Sequence, residues 1–499
     1  MNSPRRAALL LLCLLSPLGQ AGSQDMNVAR QASAPTMRSA YDRSVMLSQQ
    51  QTDLTLSDAV YLGLRNNRGI RSAYLQRVAQ KFDLRVSEDT FNPKLLLSAT
   101  SQANRGSNDG VRNTTLNPSS SLLGEYGTRL NLAWRQELNN ANHAGYYRRD
   151  GLDLAIIQPL LKGAGWDVTT APVRLARINE QAYRLNLKAS VAQTITDIIG
   201  AYRELLRAQE QLAIVEDALK RANALLEVNK ALIGAGRMAE FEIVQTEADI
   251  ATQELGVEEA RNQVDINRLS LLRLLALDLS TRVRASEGLQ AARISIDQKE
   301  ALRMAQVQQP AYLATLLGSQ QADLNLVIAK DQSRWDVSLV AGANQVRNRY
   351  DNDGGSGSGR TWDSYAGVQV RIPIGDLSTR QAEVHARVDV ENQELVQADA
   401  RQALERSVND VVRDLGTRWR QYEISQRAVE LSKRKLDIER EKLSAGRSSN
   451  FQVLSYESDL RTSENARLNA LIAYLNAQSQ LDLTLGMTLE TWDIALNDF

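Results

Sequence analysis

The two halves of this chain carry the same pattern of apolar residues and short landmarks. At an offset of 242 positions, Leu75 aligns with Leu317 without a gap. Further along, the offset becomes 210, and the Ala-Gly-Arg sequence at 235–237 matches the one at 445–447. Self-similarity at a fixed offset predicts repeated copies of one structural unit. The two repeats are expected over 55–280 and 297–486.

Each half shows the same order of signals: a helix, alternating strands, and two very long helices. Apolar residues recur at helical spacing and then alternate with polar residues. The first long helix of each half runs for roughly 60 residues, which at about 1.5 Å per residue predicts a length of ~90 Å. Helices this long need a coiled-coil-like partner. The first repeat is predicted to contain a helix over 55–89, a β region over 92–159 and a helical hairpin over 168–277. The second is predicted to contain a helix over 297–331, a β hairpin over 335–374 and a helical hairpin over 378–485. Residues 281–296 are predicted to connect the two repeats, and we call this segment the seam; it would lie in an equatorial region of the helical part. Residues 487–499 are predicted to form a C-terminal tail.

The N-terminal residues read as a targeting segment. Arg5 and Arg6 precede a short Leu-rich run, and small residues follow near Ala21. This pattern is typical of a secretory signal peptide over 1–21, followed by an arm over 22–54. Lipoprotein processing at Cys13 is disfavoured because Leu12 stands where a small residue is needed. Cys13 is the one cysteine of the chain, so the mature chain would have none.

The sequence shows no pattern typical of an enzyme or a cofactor site. Lys plus Arg and Asp plus Glu each number 59, which argues against general nucleic-acid binding. No Gly-rich phosphate loop follows a strand. The two histidines, His143 and His385, have no partner pattern for a metal site or a catalytic triad. We therefore expect no enzyme, no metal, no cofactor and no nucleic-acid partner.

The strand regions are typical of an outer-membrane barrel, because one face of each strand is apolar and the other polar. Four strands are too few to close a barrel, and open edges in lipid are not viable. Three copies of four strands would give a 12-strand barrel. Aromatic residues lie where strands meet loops, as an interfacial belt requires. The belt candidates are Trp134, Trp335, Trp362 and Tyr365.

The first half carries 28 more residues than the second between equivalent landmarks, in a stretch rich in Asn, Ser and Gly. Three strand-like stretches are predicted there. That odd number leaves one of them, within 124–138, either outside the membrane or extending a hairpin above it. In the second half the segment 348–359 is predicted to be a long hairpin loop.

These features together resemble the TolC family of outer-membrane efflux proteins over essentially the whole mature chain. The resemblance rests on the duplicated plan, on the motif Gln-Pro-Leu-Leu-Lys-Gly-Ala-Gly at 158–165 with its counterpart at 371–375, and on the turns at 233–237 and 443–447. It implies a mainly α fold with a β-barrel part, in which a trimeric outer-membrane barrel continues into a periplasmic α-helical barrel. The motif implies barrel-to-helix junctions at Pro159, Gly163, Pro373 and Gly375.

The resemblance also implies a function and a localisation. Such a homotrimer sits in the outer membrane of a Gram-negative bacterium, in contact with lipid, with a large periplasmic part. It is the exit duct for a periplasmic adaptor (membrane fusion protein) and an inner-membrane transporter, in tripartite efflux or type I secretion. Drugs, metal ions and polypeptides all remain open as cargo.

The helical tips close the duct in this family. The matching positions here make Glu242 the acidic gate candidate. The sequence departs from the family at Gln452, where an acidic residue often stands. The full set of tip and gate candidates is Gly236, Arg237, Glu240, Glu242, Gly446, Arg447 and Gln452.

One alternative function stays open at this point. A periplasmic adaptor or a structural coiled-coil protein would also contain long antiparallel helices. It would show one helical hairpin with flanking β domains rather than a duplication of the whole chain.

Overall fold

The computed structural model describes residues 51–106, 110–141, 145–352 and 354–496. The predicted signal peptide, Cys13, His143 and all but the end of the N-terminal arm lie outside the described residues. Of the described residues, 63% are in helices and 22% in strands. The helices are α1 (Leu56–Asn66), α2 (Arg68–Glu88), α3 (Trp166–Thr169), α4 (Ala171–Gly234), α5 (Glu242–Leu274), α6 (Gln298–Gln308), α7 (Pro310–Gln332), α8 (Ser378–Ser444), α9 (Asn450–Leu485) and α10 (Thr488–Thr491). The strands are β1 (Thr52–Leu54), β2 (Lys94–Arg105), β3 (Gly110–Leu123), β4 (Arg129–Ala141), β5 (Gly145–Pro159), β6 (Val283–Ala285), β7 (Asp336–Asn352) and β8 (Gly355–Arg371).

The predicted helices at 55–89 and 297–331 are each broken in two, so the expectation of one continuous helix in each half is wrong. The breaks fall at Asn67 and Gln309, which are equivalent positions of the two repeats. Pro310 has no N–H and disfavours a helical residue before it. Asn67 Oδ1 accepts from the Ile70 N–H at 3.0 Å, and Gln309 Oε1 accepts from the Tyr312 N–H at 2.5 Å. Both side chains therefore cap the helix that follows.

The two longest helices are α4, with 64 residues, and α8, with 67 residues. At 1.5 Å per residue each is roughly 95–100 Å long. Each folds back through a tip turn into a shorter antiparallel partner, α5 or α9. We call α4–α5 the first hairpin and α8–α9 the second hairpin. None of the helices in the described ranges combines the length and the hydropathy that a membrane span requires.

Heptad spacing explains how these helices pack. On α4 the fully buried side chains of Val191, Ile195, Ile198, Tyr202 and Leu205 alternate at steps of four and three residues. This is the spacing of a coiled-coil seam, in which each apolar side chain fills a gap on the facing helix. Burying one such side chain contributes about 1.5–3 kcal/mol. The core is therefore distributed along the hairpins.

A two-stranded parallel sheet ties the ends of the first repeat together. β1 pairs with β6, so that Thr52 lies opposite Val283. The Tyr202 hydroxyl donates to the Leu54 carbonyl oxygen at 2.8 Å. In the second half the Tyr474 hydroxyl donates to the Ala292 carbonyl oxygen at the same distance. These contacts attach β1 to α4 and the seam to α9.

The remaining strands form one antiparallel sheet in the order β2-β3-β4-β5-β7-β8. The first half contributes four strands, not the three predicted, and the chain contributes six, not the four on which the 12-strand total rested. The segment 124–138 holds a turn and most of β4. The segment 348–359 is not a long loop, because β7 and β8 stay paired up to Asn352 and Gly355.

Candidate functional site

The tips of both hairpins end in the same local structure. Gly236 and Gly446 have φ values of +71° and +72°, a left-handed conformation that favours glycine. The Arg237 N–H donates to the Leu232 carbonyl at 2.8 Å, and the Arg447 N–H donates to the Lys442 carbonyl at 2.8 Å. These are the six-to-one bonds of a Schellman cap. Both Ala-Gly-Arg sequences are therefore helix ends.

The two tips lie against each other. A Cβ built on Gly446 would lie 3.4 Å from a terminal nitrogen of the Arg237 guanidinium. A small apolar cluster beneath the tips joins both hairpins. Its buried members are Leu225, Leu436, Leu443, Val453 and Leu460.

The charged gate candidates lie at this end of the hairpins. Arg237, Glu240 and Arg447 are exposed, and Glu242 is half-buried in the first turn of α5. Among the described residues, none of these four forms an ion pair. Gln452 lies in the first turn of α9, where its N–H donates to the Ser449 hydroxyl at 3.3 Å.

A charged link that the sequence analysis missed joins the two hairpins above the tips. Arg221 Nε on α4 donates to Glu457 Oε2 on α9 at 2.9 Å. A terminal nitrogen of Arg221 lies 3.6 Å from Glu464 Oε2. Arg440 on α8 pairs with the other oxygen of Glu457. Burial raises the pKa of Glu464, and the nearby Arg221 opposes that rise.

A buried polar cluster lies closer to the tips. Asn229 on α4, Thr246 on α5 and Asn450 on α9 have no exposed surface. Asn229 Nδ2 lies 2.8 Å from both Thr246 Oγ1 and Asn450 Oδ1. Asn450 Nδ2 also donates to the Glu242 carbonyl at 3.2 Å. Removing one member would leave buried polar groups unpaired, which costs about 1–3 kcal/mol each.

One sequence signal could have located this cluster. Asn229 continues the heptad spacing of Ala218, Ala222 and Leu225, all buried on α4. A lone Asn at such a position fixes register in coiled coils at a cost in stability. Its two partners come from other helices, so the heptad alone does not identify them.

The other predicted site lies where the sheet joins the helices. Pro159 is the last residue of β5, and Gly163 and Gly375 have φ values of +77° and +75°. The Gly163 N–H donates to Asp331 Oδ2 at 2.8 Å. Burial raises the pKa of Asp331, and the bond from Gly163 opposes that rise. Pro373 lies two residues beyond the end of β8.

The β3–β4 turn packs onto this junction. Gly127 has a φ of +91°, and a Cβ built there would lie 2.1 Å from the Gly163 carbonyl oxygen. The Gly165 N–H donates to the Tyr126 carbonyl at 3.2 Å. The junction motif therefore also serves as the docking point for this turn.

The aromatic belt candidates do not share one face. Trp134 and Trp362 lie in one row of paired residues, through Leu152 and Gln345, and so on the same face of the sheet. Tyr365 is an odd number of residues from Trp362 and lies on the opposite face. It covers Gly342, where an added Cβ would lie 2.6 Å from its ring. Trp335 precedes β7 and is 56% exposed.

Within the described ranges, no group of three or more His, Cys, Asp or Glu side chains is placed to hold a metal ion.

Comparisons with known proteins agree with this architecture. Residues 59–277 match the family model described as outer membrane efflux protein. Over 417 residues, 82% of this chain and 78% of the relative, the sequence is 27% identical to Protein CyaE of Bordetella pertussis. The fold is similar to the CmeC outer membrane channel of Campylobacter jejuni, with a TM-score of 0.66, 15% identity and 95% coverage of both chains. It is also similar to the open state of the MtrE outer membrane channel of Neisseria gonorrhoeae, with a TM-score of 0.66 and 16% identity over 95% of this chain and 99% of that one.

Proteins of this family and fold are trimeric outer-membrane channels, with a β-barrel and a periplasmic α-helical barrel, that work with an adaptor and an inner-membrane transporter. The two hairpins of the duplicated chain fit this architecture, and they leave the alternative of an adaptor or structural coiled coil without support. Residues 59–277 carry the pattern of the outer membrane efflux protein family, and the chain is an outer-membrane exit duct of an efflux or type I secretion system.

Proposed function

We propose that the duct conducts passively and that its periplasmic tips form a gate held shut by the link between the two hairpins. The observation that carries this proposal is the contact of Arg221 with Glu457 and Glu464. Opening the duct requires the hairpins to separate at the tips. That movement breaks the contacts of Arg221, whereas the Arg440–Glu457 pair lies within the second hairpin and moves with it.

The tip charges act at the mouth of the same gate. Arg237, Glu240 and Arg447 have no ionic partner within the described chain, although each is exposed at the tip. In a trimer the tips of neighbouring chains approach one another. We infer that these charges, together with Glu242, pair between chains and close the last opening.

The tips also present the surface for the adaptor. Phe241 and Phe451 are equivalent residues of the two repeats, and they are 72% and 67% exposed. Exposed aromatic side chains at the start of the return helices are typical of a protein contact surface. Three chains would present six such sites, which suits a partner that repeats around the tube.

At the other end of the molecule the sheet lies in the outer membrane. Trp134 and Trp362 contact lipid from the same face of the sheet, and Trp362 lies at the end of the apolar stretch of β8, where aromatic side chains commonly stand in barrels. Tyr365 is not proposed for this belt, because it lies on the other face. Trp335 lies just before β7, at the end of the sheet nearest the helices.

Single-channel recording in planar bilayers tests the passive gate. The purified trimer should give small, ohmic conductance steps without any added nucleotide or cofactor. Arg221→Gln should raise the open probability, and Lys230→Gln, which removes an exposed pair within α4, should not. Conductance that needs an energy source, or a response to Lys230→Gln equal to that of Arg221→Gln, would contradict the proposal.

A further inference from the structure

We propose that β3 and β4 cross the outer membrane as part of the barrel wall, so that three copies of the chain close an 18-stranded barrel. The apolar face of this wall contacts lipid. The inference rests on the exit-duct function and changes the width of its outer mouth. It concerns the residues by which the first repeat exceeds the second.

The two strands lie in the middle of the sheet. β3 pairs with β2 from Lys94↔Ser121 to Arg105↔Gly110. β4 pairs with β5 from Arg129↔Ile157 to Ala141↔Gly145. Lifting the β3–β4 hairpin out of the sheet would break two ladders of hydrogen bonds, β2–β3 and β4–β5. In lipid each unpaired backbone group costs several kcal/mol.

The side chains of β4 alternate as lipid exposure requires. Leu132 and Trp134 pair with Leu154 and Leu152 of β5 on one face. Although these strands are interior to the sheet, Leu132, Trp134 and Leu152 are 42%, 43% and 44% exposed. No other part of the described chain covers them, and large apolar side chains in this position are typical of a lipid-facing surface.

The opposite face of the same hairpin is polar. On β4 it carries Asn131, Arg135 and Glu137, and on β3 it carries Asn113, Thr115, Asn117, Ser119 and Ser121. A polar face of this kind suits the water-filled interior of a barrel. The lipid-facing side of β3 is marked by Leu116 and Leu122, which lie opposite Gln136 and Leu130.

The turn of the hairpin fixes its depth. Tyr126 and Gly127 contact Gly165 and Gly163 at the junction, where β5 leaves the sheet. β3 and β4 therefore begin at the same level as the other strands. The hairpin does not extend above the membrane from a higher starting point.

The apolar band, meaning the run of apolar residues on the lipid-facing side of each strand, gives a quantitative check of this placement. On β2 the band runs from Leu95 to Ala103 and is centred on Ala99, whose row of paired residues ends at Arg360 on β8. On β8 the band runs from Trp362 to Val370 and is centred on Ala366. The centre of the band on β8, Ala366, therefore lies six residues closer to the helices than Arg360, the residue in the same row as Ala99.

Six residues correspond to about 20 Å along a strand, and five strand spacings correspond to about 24 Å across the sheet. A band that stays level with the membrane therefore requires a strand tilt of about 40°. Transmembrane barrels have tilts of about 35–45°. Without β3 and β4 the same shift would span only three spacings, about 14 Å, and require roughly 54°. The apolar band therefore lies parallel to the membrane, at a strand tilt usual for barrels, only when β3 and β4 are part of the barrel.

The free edges of the sheet are β2 and β8, and their occupant is a second copy of the chain. β8 of one chain pairs with β2 of the next, which removes every edge after three copies. With a strand spacing of about 4.8 Å and a tilt of about 40°, 18 strands give a backbone diameter of roughly 36 Å, against roughly 24 Å for 12 strands. A trimer with six strands per chain thus forms a barrel about one and a half times as wide as a trimer with four strands per chain.

Cysteine accessibility tests the position of the hairpin. Leu132→Cys and Asn131→Cys are compared on β4, with Leu154→Cys and Asp153→Cys on β5 as the matched pair. The native Cys13 is replaced by Ser in every variant. Outer-membrane preparations are treated with a water-soluble maleimide. We expect both polar-face cysteines to react at least tenfold faster than both apolar-face cysteines, with the difference lost in denaturant.

Equal reaction of the two β4 variants, with alternation retained on β5, would overturn the inference while leaving the exit duct intact. Absence of the protein from outer membranes would instead contradict the proposed function. Both outcomes can be measured even if the deletion variant described next does not fold.

Deletion of residues 107–144 tests the width. It joins Gly106 to Gly145 in a two-residue Gly-Gly turn, a favoured hairpin connection, and leaves Arg105 and Tyr146 on the same face. The largest polyethylene glycol that enters from the extracellular side should fall by about one third in radius. An unchanged size limit in a folded deletion trimer would overturn the wider barrel.

Discussion

Replacing Arg221 by Gln should loosen the closed tips, because Arg221 connects the first hairpin to two carboxylates of the second. Its Nε lies 2.9 Å from Glu457 Oε2, and a terminal nitrogen lies 3.6 Å from Glu464 Oε2. The side chains of Arg221 and Glu457 are only 22% and 11% exposed. Water therefore screens this contact less than it screens a pair on an open surface.

The size of the effect follows from this burial. A hydrogen bond to a charged group contributes about 1.5–3 kcal/mol net, whereas an exposed pair contributes about 0–1 kcal/mol. Gln at position 221 keeps some of the packing but loses the charge. We expect a loss of about 2 kcal/mol from the closed form, which corresponds to a roughly 30-fold shift towards the open form.

Single-channel recording measures this shift as a change in open probability. Arg440→Gln is the matched control, since it removes a contact of the same Glu457 that lies within one hairpin. It should destabilise the second hairpin but shift the gate much less than Arg221→Gln. If the two variants shift the gate equally, or if neither does, the link between the hairpins does not hold the gate.

Four further predictions concern the tips and the junction. Arg447→Ala combined with Glu242→Ala should raise single-channel conductance, and unchanged conductance would remove these residues from the gate. Asn450→Ala should lower the free energy of unfolding by about 2–4 kcal/mol, seen as a lower melting temperature of the detergent-solubilised trimer. Gly127→Ala should reduce the yield of SDS-resistant trimer, because the added Cβ meets a backbone oxygen; a wild-type yield would show that the turn adapts. Because burial raises the pKa of Asp331, the folded chain holds that proton more tightly than the unfolded chain, and stability should fall as pH rises from the ordinary aspartate range through the raised pKa. Asp331→Asn should remove that part of the pH dependence, measured as the unfolding midpoint between about pH 4 and about pH 7.

Some features of the site followed from local sequence. The tip turns need a residue with positive φ directly after a helix, and Gly236 and Gly446 supply it. The strand pattern likewise shows which face of β7 and β8 is apolar, because side chains alternate along any strand.

Other features depend on residues far apart in the chain. Arg221 and Glu457 are separated by more than 200 residues, so no local pattern connects them. The alternation that predicts strands at 130–156 also fails to show that 110–123 is a strand, because its apolar-face residues are interrupted by Ser and Thr. Its partners β2 and β4 determine its conformation.

The sequence by itself determined the duplicated plan, the long helices, the two tip turns and the export function. These rest on periodicity and on local backbone preferences, which act over a few residues. The tertiary structure decided the number of strands, the breaks at Asn67 and Gln309, the faces of the aromatic residues and the link around Arg221. Each of these depends on which distant segment a residue meets, and hydrogen-bond pairing and burial settle that only when the chain is folded.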